Sequence, residues 1–287
     1  MSAERVISDI KMARKEYKMS RLVINDDQSL IDKARIKKIL KAVIGLNLNL
    51  EFQTGLNVKY IDEEIAALLK KAGIEVVNLA IESGSEYVLK DIIDKPLKLS
   101  DVKPAVELLR KNGLFVNGYF IFGLPGEREE DRQTTVDLIK EVGIDWSNIT
   151  AAAPLMGSRL YNICIEKGYI RDDKDLLDSH VFQATIRTPE IDPDALTEYI
   201  YQVNLEVNFV NNRRMKTGEY EIAKGYFNNV VKNHPSHAFA HYYLARAYEG
   251  MGGKQEAIDY HRKIFQEIIN TNNTWERYAR HFELITC

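Results

Sequence analysis

Three short segments hold the side chains best suited to ligand chemistry: Asp26-Asp27, Glu82-Ser83, and the run from Gly118 to Glu127. A carboxylate such as Glu82 can accept hydrogen bonds from both hydroxyls of a cis-diol, and the Ser83 hydroxyl can donate to a carboxylate. Asp26 or Asp27 can pair with an ammonium group. Residues 118–127 read as a buried apolar strand that ends in the turn Gly123-Leu124-Pro125-Gly126. The acidic residues Glu127, Glu129, Glu130 and Asp131 then suit the first turn of a helix. Gly123 and Gly126 remove side chains where the backbone turns, so another molecule could lie against the main chain. Each segment also has a purely structural reading. Ser83 or Ser85 could cap a helix over residues 86–93, Asp26-Asp27 could be a capping pair, and Gly123–Gly126 could be simply a tight turn. A divalent cation at Asp26-Asp27 is a third option, but the sequence fixes no further ligands for it.

The elements that must position these residues alternate in type. Strands are expected at residues 21–25, 48–54, 76–81, 115–122 and 147–152. Helices are expected at 3–18, 30–44, 62–72, 86–93, 100–111, 129–142 and 158–167, with Gly73, Gly113, Gly143 and Gly168 closing four of them. Asp26, Glu82, Gly123 and Pro154 all fall just after strands, where active-site loops sit in barrels. The rhythm predicts a parallel sheet covered by helices, either a (β/α) barrel or a doubly wound open sheet. Only five strands are visible and the pattern opens on a helix. The expected fold is therefore α/β: a partial (β/α)6 TIM-like barrel lacking its first strand over residues 1–170, then a connector at 171–192.

Residues 193–287 read as all-helical. Gly218 and Gly252 stand 34 residues apart, as do Ala223 and Ala257, Phe227 and His261, and Val230 and Ile264. A 34-residue period resembles that of the tetratricopeptide family, so a TPR-like helical-repeat region, open to a protein partner, is expected. His234, His237 and His241 have metal-like spacing, yet Pro235 interrupts them and packing is the expected role. Cys164 is expected to be a buried small apolar residue.

Composition narrows the classes. Of 287 residues, 45% are hydrophobic and 28% charged, which suits a soluble globular chain. A net charge of -3 gives no case for nucleic acid or anionic membrane as a partner. No apolar run spans a bilayer and the N-terminus lacks a signal-peptide core, so a cytoplasmic location is expected. The two cysteines, Cys164 and Cys287, cannot form a Cys-only zinc or iron–sulfur site.

Taken in order, the β-rich segments resemble the radical S-adenosylmethionine (SAM) superfamily. Residues 80–85 look like its Gly-x-Glu-Ser segment, with Ala80 replacing the glycine. Residues 118–127 look like its Gly-x-Ile-x-Gly-x-x-Gly-Glu segment, and residues 154–161 like the segment after its sixth strand. Leu69 to Gly73 and Lys95-Pro96 also fit. The resemblance covers residues 4–170. It implies SAM as cofactor, with Glu82 on the ribose, Ser83 on the methionine carboxylate, Asp26 or Asp27 near the amine, and Gly118 to Gly123 beside the adenine.

Two departures stand out. The family's Cys-x3-Cys-x2-Cys loop, which ligates a [4Fe–4S] cluster, is absent. Asn25-Asp26-Asp27 stands where many members have Gly-Gly-Glu, an acidic pair typical of members with a cobalamin-binding domain. The implied activity is SAM cleavage to a 5′-deoxyadenosyl radical, with cobalamin-linked methyl transfer in that branch and the cluster supplied by an upstream segment. Two further readings stay open: a non-catalytic degenerate barrel serving as a scaffold, and an iron-free enzyme using Asp26 and Glu82 as acid and base. A barrel missing an edge strand would also expose unpaired backbone, so dimerisation or aggregation is expected.

Overall fold

The computed structural model describes residues 1–170 and 182–285. The acidic stretch at Asp172, Asp173, Asp175 and Asp178, within the expected connector, lies outside the described residues, as does Cys287. The chain divides into two compact units, Met1–Thr197 and Glu198–Cys287.

The first unit alternates strands and helices in the order α1 (Ala3–Glu16), β1 (Arg21–Ile24), α2 (Lys33–Val43), β2 (Asn49–Phe52), α3 (Glu63–Lys71), β3 (Val76–Glu82), α4 (Val102–Lys111), β4 (Phe115–Phe122), α5 (Glu129–Val142), β5 (Trp146–Ala151) and α6 (Arg159–Glu166). The expected helix at 86–93 is instead a π-type turn, Val88–Ile92. All strand pairs are parallel and follow chain order, β1 with β2 and β3 with β4 with β5. A parallel bridge from Leu56 to Leu79 and the Leu56 N–H donated to the Asn78 carbonyl at 2.7 Å join the two sets.

Local chemistry sets the helix ends. Asp32 accepts from the Arg35 N–H at 2.9 Å and Asp62 from the Ile65 N–H at 2.9 Å, caps worth about 1 kcal/mol each. Helix α2 therefore starts at its own cap Asp32, and Asp26-Asp27 do not cap it. Gly143 closes α5 at φ 68°, a left-handed conformation that suits glycine.

The strands are not buried on both sides. In β4, buried Val116, Gly118, Phe120 and Phe122 alternate with partly exposed Phe115, Asn117, Tyr119 and Ile121. The expected continuously buried apolar strand is thus corrected to one with a sealed face and a partly exposed face. Cys164 is fully buried in a cluster with Val88, Leu124, Ala152, Ile170 and Ile186.

Helix α7 (Pro193–Leu205) carries the unit boundary. The second unit then contains α8 (Arg213–Lys216), α9 (Tyr220–Asn233), α10 (Ala238–Gly250), α11 (Gln255–Thr271) and α12 (Asn273–His281). Phe209, Phe227 and Tyr243 cluster with ring centroids 5.4–6.1 Å apart. His237 caps α10, accepting the Ala240 N–H through Nδ1, and packs 4.9 Å from Phe209 and 4.8 Å from Trp275. No helix among the described residues is long and apolar enough to cross a membrane.

His241 and His261 join α10 to α11 through an Nδ1–Nδ1 hydrogen bond of 2.9 Å. The His241 Nε2 lies 2.9 Å from the Pro235 carbonyl, which only accepts. Nε2 therefore carries the His241 proton, and His261 must donate to the bare Nδ1 of His241. Both rings serve packing between the helices. Burial pushes His261 down to about 4 and lowers His241 as well. Unfolded histidines take up protons near pH 6.5, so the unfolded state binds more protons between roughly pH 6.5 and 4. The second unit should accordingly lose stability as pH falls through that window. Thermal melts followed by Trp275 fluorescence in a Trp146→Phe variant, run at pH 7.5 and 4.5, check this; equal midpoints would contradict it.

Candidate functional site

Because every strand pair is parallel, the carboxyl ends of the strands gather their loops on one side. Thr54 Oγ1 donates to the Asp26 carbonyl at 3.1 Å, tying the end of β1 to that of β2. Tyr119 OH donates to the Gln53 carbonyl at 3.2 Å, tying β4 to the same region. Gly55 sits at φ 83°, a conformation that favours glycine, and a Cβ there would crowd Ala80 at 3.2 Å and the Tyr119 ring at 3.3 Å. The partly exposed sheet face also carries Asn78 and Asn117, bonded to each other at 3.2 Å.

Glu82 closes β3 with φ 71°, outside the range most non-glycine residues adopt. A bulge between Ala80 and Glu82 shifts the register against β4 and re-aims this residue. One carboxylate oxygen lies 3.1 Å from Lys95 Nζ, and the two side chains are only 20% and 18% exposed.

The residues after Glu82 turn inward. Gly84 N–H donates to Thr135 Oγ1 at 2.8 Å, and Ser83 Oγ lies 3.2 Å from the same oxygen. Ser85 Oγ donates to Asp131 at 2.6 Å and also accepts the Val88 N–H at 3.3 Å, capping the π-type turn. Burial alone would raise the Asp131 carboxyl, but bonds from Arg128 and Ser85 prevail and hold it below its ordinary range. The Ser83 hydroxyl is fully buried in this network. The structure therefore gives it protein partners where the sequence suggested a ligand carboxylate.

The Gly123–Gly126 turn is held by Glu127. The Gly123 N–H donates to Glu127 Oε2 at 2.5 Å, and Arg132 Nη1 stands 3.5 Å from that oxygen. Glu127 is fully buried, and its Oε1 has no hydrogen-bond partner among the described residues. Burial drives its pKa up to about 7, against the opposing pull of the Gly123 N–H and Arg132. Gly123 itself sits at φ 90°, with Leu196 so close that a Cβ would meet it at 2.5 Å.

The other expected site residues are spread out. Asp26 accepts from its own turn (Gln28 N–H, 3.1 Å) and pairs with Arg35 at 3.7 Å, while Asp27 is exposed. Gly118 lies on the helix-covered face, where a Cβ would stand 2.7 Å from the Phe120 ring. Its bareness therefore serves packing. Pro154 is buried after β5, and Leu155 and Met156 beyond it are 71% and 68% exposed. The polar rows Asn78–Asn117 and Tyr119–Asn148 were missed in the sequence reading, although their period-two alternation was available in it.

Glu82, with Lys95 on one oxygen only, keeps an oxygen able to accept from a diol, whereas at Gly123 the space of a side chain is taken by Leu196. An iron–sulfur cluster does not fit. Among the described residues no group of three or more His, Cys, Asp or Glu is placed to hold a metal, and Cys164 is buried with its thiol pKa raised by burial.

Comparison with known proteins gives the class. Residues 1–139 match the family model described as the radical SAM superfamily. That stretch, 139 of the 287 residues, is similar to a radical SAM domain. It is 29% identical over 219 residues to cytidylyl-2-hydroxyethylphosphonate methyltransferase of Streptomyces wedmorensis, covering 74% of this chain and 41% of that protein. It is 30% identical over 164 residues to an uncharacterized methyltransferase of Pyrococcus horikoshii, covering 57% of this chain and 36% of that one. The matched region thus spans well under half of either relative. A solved structure, the radical SAM methyltransferase TsrM of Kitasatospora setae with cobalamin and a [4Fe-4S] cluster bound, aligns at TM-score 0.47 and 19% identity, covering 52% of this chain and 31% of that one.

The Glu127 geometry has a measurable consequence. Its folded pKa near 7 exceeds the ordinary 4.5. Its stabilising contribution is therefore complete below pH 4.5 and lost as pH rises through 7. Glu127→Gln, which stays neutral, should remove this pH-dependent loss, so the variant gains on wild type between pH 5 and 8 in thermal melts. Glu127→Ala orphans the buried Gly123 N–H and should cost about 1–3 kcal/mol throughout.

Proposed function

We propose that the first unit is a partial (β/α) barrel that binds SAM at the carboxyl ends of its strands and serves a methyltransferase-type radical SAM protein. The observation that carries this reading is Glu82. A carboxylate held at the strand end, partly accessible and lysine-bound through one oxygen only, can still accept from a ribose diol. The Gly123 turn would border the adenine, and Asp26 or Asp27 the methionine amine. Ser83 would contribute through its main chain, since its hydroxyl is already bonded. Bound SAM would supply the transferable methyl and adenosyl groups.

The methyl-transfer class is taken from the activity named for the Streptomyces relative, and cobalamin, as a companion cofactor, from the acidic pair Asp26-Asp27. The cluster would be ligated by cysteines outside these residues. Residues 204–270 in the second unit are read as about two TPR-like repeats that take a protein partner. In support, Gly218 and Gly252 both adopt positive φ, and Phe227 and His261 are both buried at the repeat spacing.

Two measurements test the reading. Isothermal titration of the purified chain with S-adenosylhomocysteine should show binding. Glu82→Ala should weaken it about ten- to hundredfold, the loss of one or two hydrogen bonds to a charged group. An absence of binding, or an unaffected Glu82→Ala variant, would overturn the assignment. Anaerobic reconstitution with iron and sulfide should leave this chain without the visible absorption of a [4Fe–4S] cluster, because it offers two cysteines.

A further inference from the structure

We propose that Lys95 is a positioning residue for Glu82, its ammonium group fixing the strained carboxylate where a ligand's cis-diol must meet it. This inference rests on the SAM-binding reading of the same site.

The backbone of Glu82 is over-determined. The bulge lies on one side of it, and on the other Ser83, Gly84 and Ser85 are bonded to Thr135 and Asp131. A non-glycine residue persists at φ 71° only under such constraint. The side chain is held differently. Its only bonded partner among the described residues is Lys95 Nζ at 3.1 Å.

Lys95 is itself a built feature. Its N–H donates to the Leu89 carbonyl at 2.7 Å, its carbonyl accepts the Leu97 N–H at 2.8 Å, and Asp94 before it sits at φ 52°. The loop is thus tied to the π-type turn Val88–Ile92, which Ser85 caps. The Lys95 side chain is four-fifths covered. An exposed lysine would lose its gain to rotamer entropy and solvent screening; this one starts from a fixed backbone and meets a shielded carboxylate. The fold does not depend on the ion pair, because the bonds to α5 already hold the loop. What the pair sets is the direction of the carboxylate, which lowers the ordering cost when a ligand binds.

The test uses the full chain and two probes. Adenosine carries the cis-diol alone, whereas S-adenosylhomocysteine adds an amine and a carboxylate. Lys95→Met should weaken both by about the same factor, roughly tenfold. Lys95→Arg should restore most of the affinity, and Lys95→Met should add little in a Glu82→Gln background. Thermal midpoints of the lysine variants should stay close to wild type.

Unchanged binding by Lys95→Met would overturn the inference and leave the SAM-site reading intact. So would a loss confined to S-adenosylhomocysteine, which would place Lys95 on the ligand carboxylate, or a loss fully additive with Glu82→Gln. Wild-type protein that binds neither probe would overturn both.

Discussion

The contact between the loop after β3 and the first turns of α5 is the constraint on which the rest of the site depends. A side chain on Gly84 would have its Cβ 2.6 Å from the Thr135 Cα, and the Gly84 N–H is satisfied by the hydroxyl of that same residue. Backbone therefore meets backbone there with nothing between. This close approach sends the chain inward straight after Glu82 and leaves that residue in the left-handed region at the rim. It also orders the site. Ser85, bonded to Asp131, caps the turn that leads to Lys95, and Asp131 accepts the Arg128 N–H at 3.0 Å at the start of α5. A polar network this complete specifies one arrangement, since breaking any link would leave a buried group unsatisfied.

Much of the α/β plan was legible from residues alone. All five strands fall within a residue or two of the expected positions, and α5 matches its expected span. Apolar runs bounded by glycines and caps are local signals, and they survive into the fold because tertiary packing agrees with them. The turn at Gly123 was also visible, because glycine tolerates the positive φ that a sharp turn needs, and Glu82 was visible from its place between an apolar run and Ser83-Gly84-Ser85.

What the sequence concealed was direction. Ser83 was read as facing a ligand and faces α5. Gly118 was read as a gap for a ring from outside and is a gap for the Phe120 ring. Both outcomes depend on which side of a strand end a residue faces, and the bulge between Ala80 and Glu82 resets that phase without any mark in the composition. The polar alternation in β4 and β5 was present in the sequence, but parallel strands are expected to be apolar throughout. The π-type turn at Val88–Ile92 was taken for ordinary helix because a five-residue stretch of helical propensity does not distinguish the two. In the second unit packing was the expected role of the histidines. Their actual arrangement, one capping a helix among aromatic rings and another sharing a proton with a partner on the next helix, follows from packing between helices.

The Gly123 turn does not exist in a single chemical form. A carboxyl group whose pKa burial pushes up to about 7 exchanges between acid and anion around neutral pH. In the anionic fraction the Gly123 N–H meets a full negative charge and the bond is strong; in the acid fraction it meets a neutral oxygen and is weaker. Arg132 feels the same alternation. The wall expected to border an adenine ring is therefore a mixture of two slightly different surfaces at neutral pH. A ligand that favours one of them would take up or release a fraction of a proton as it binds.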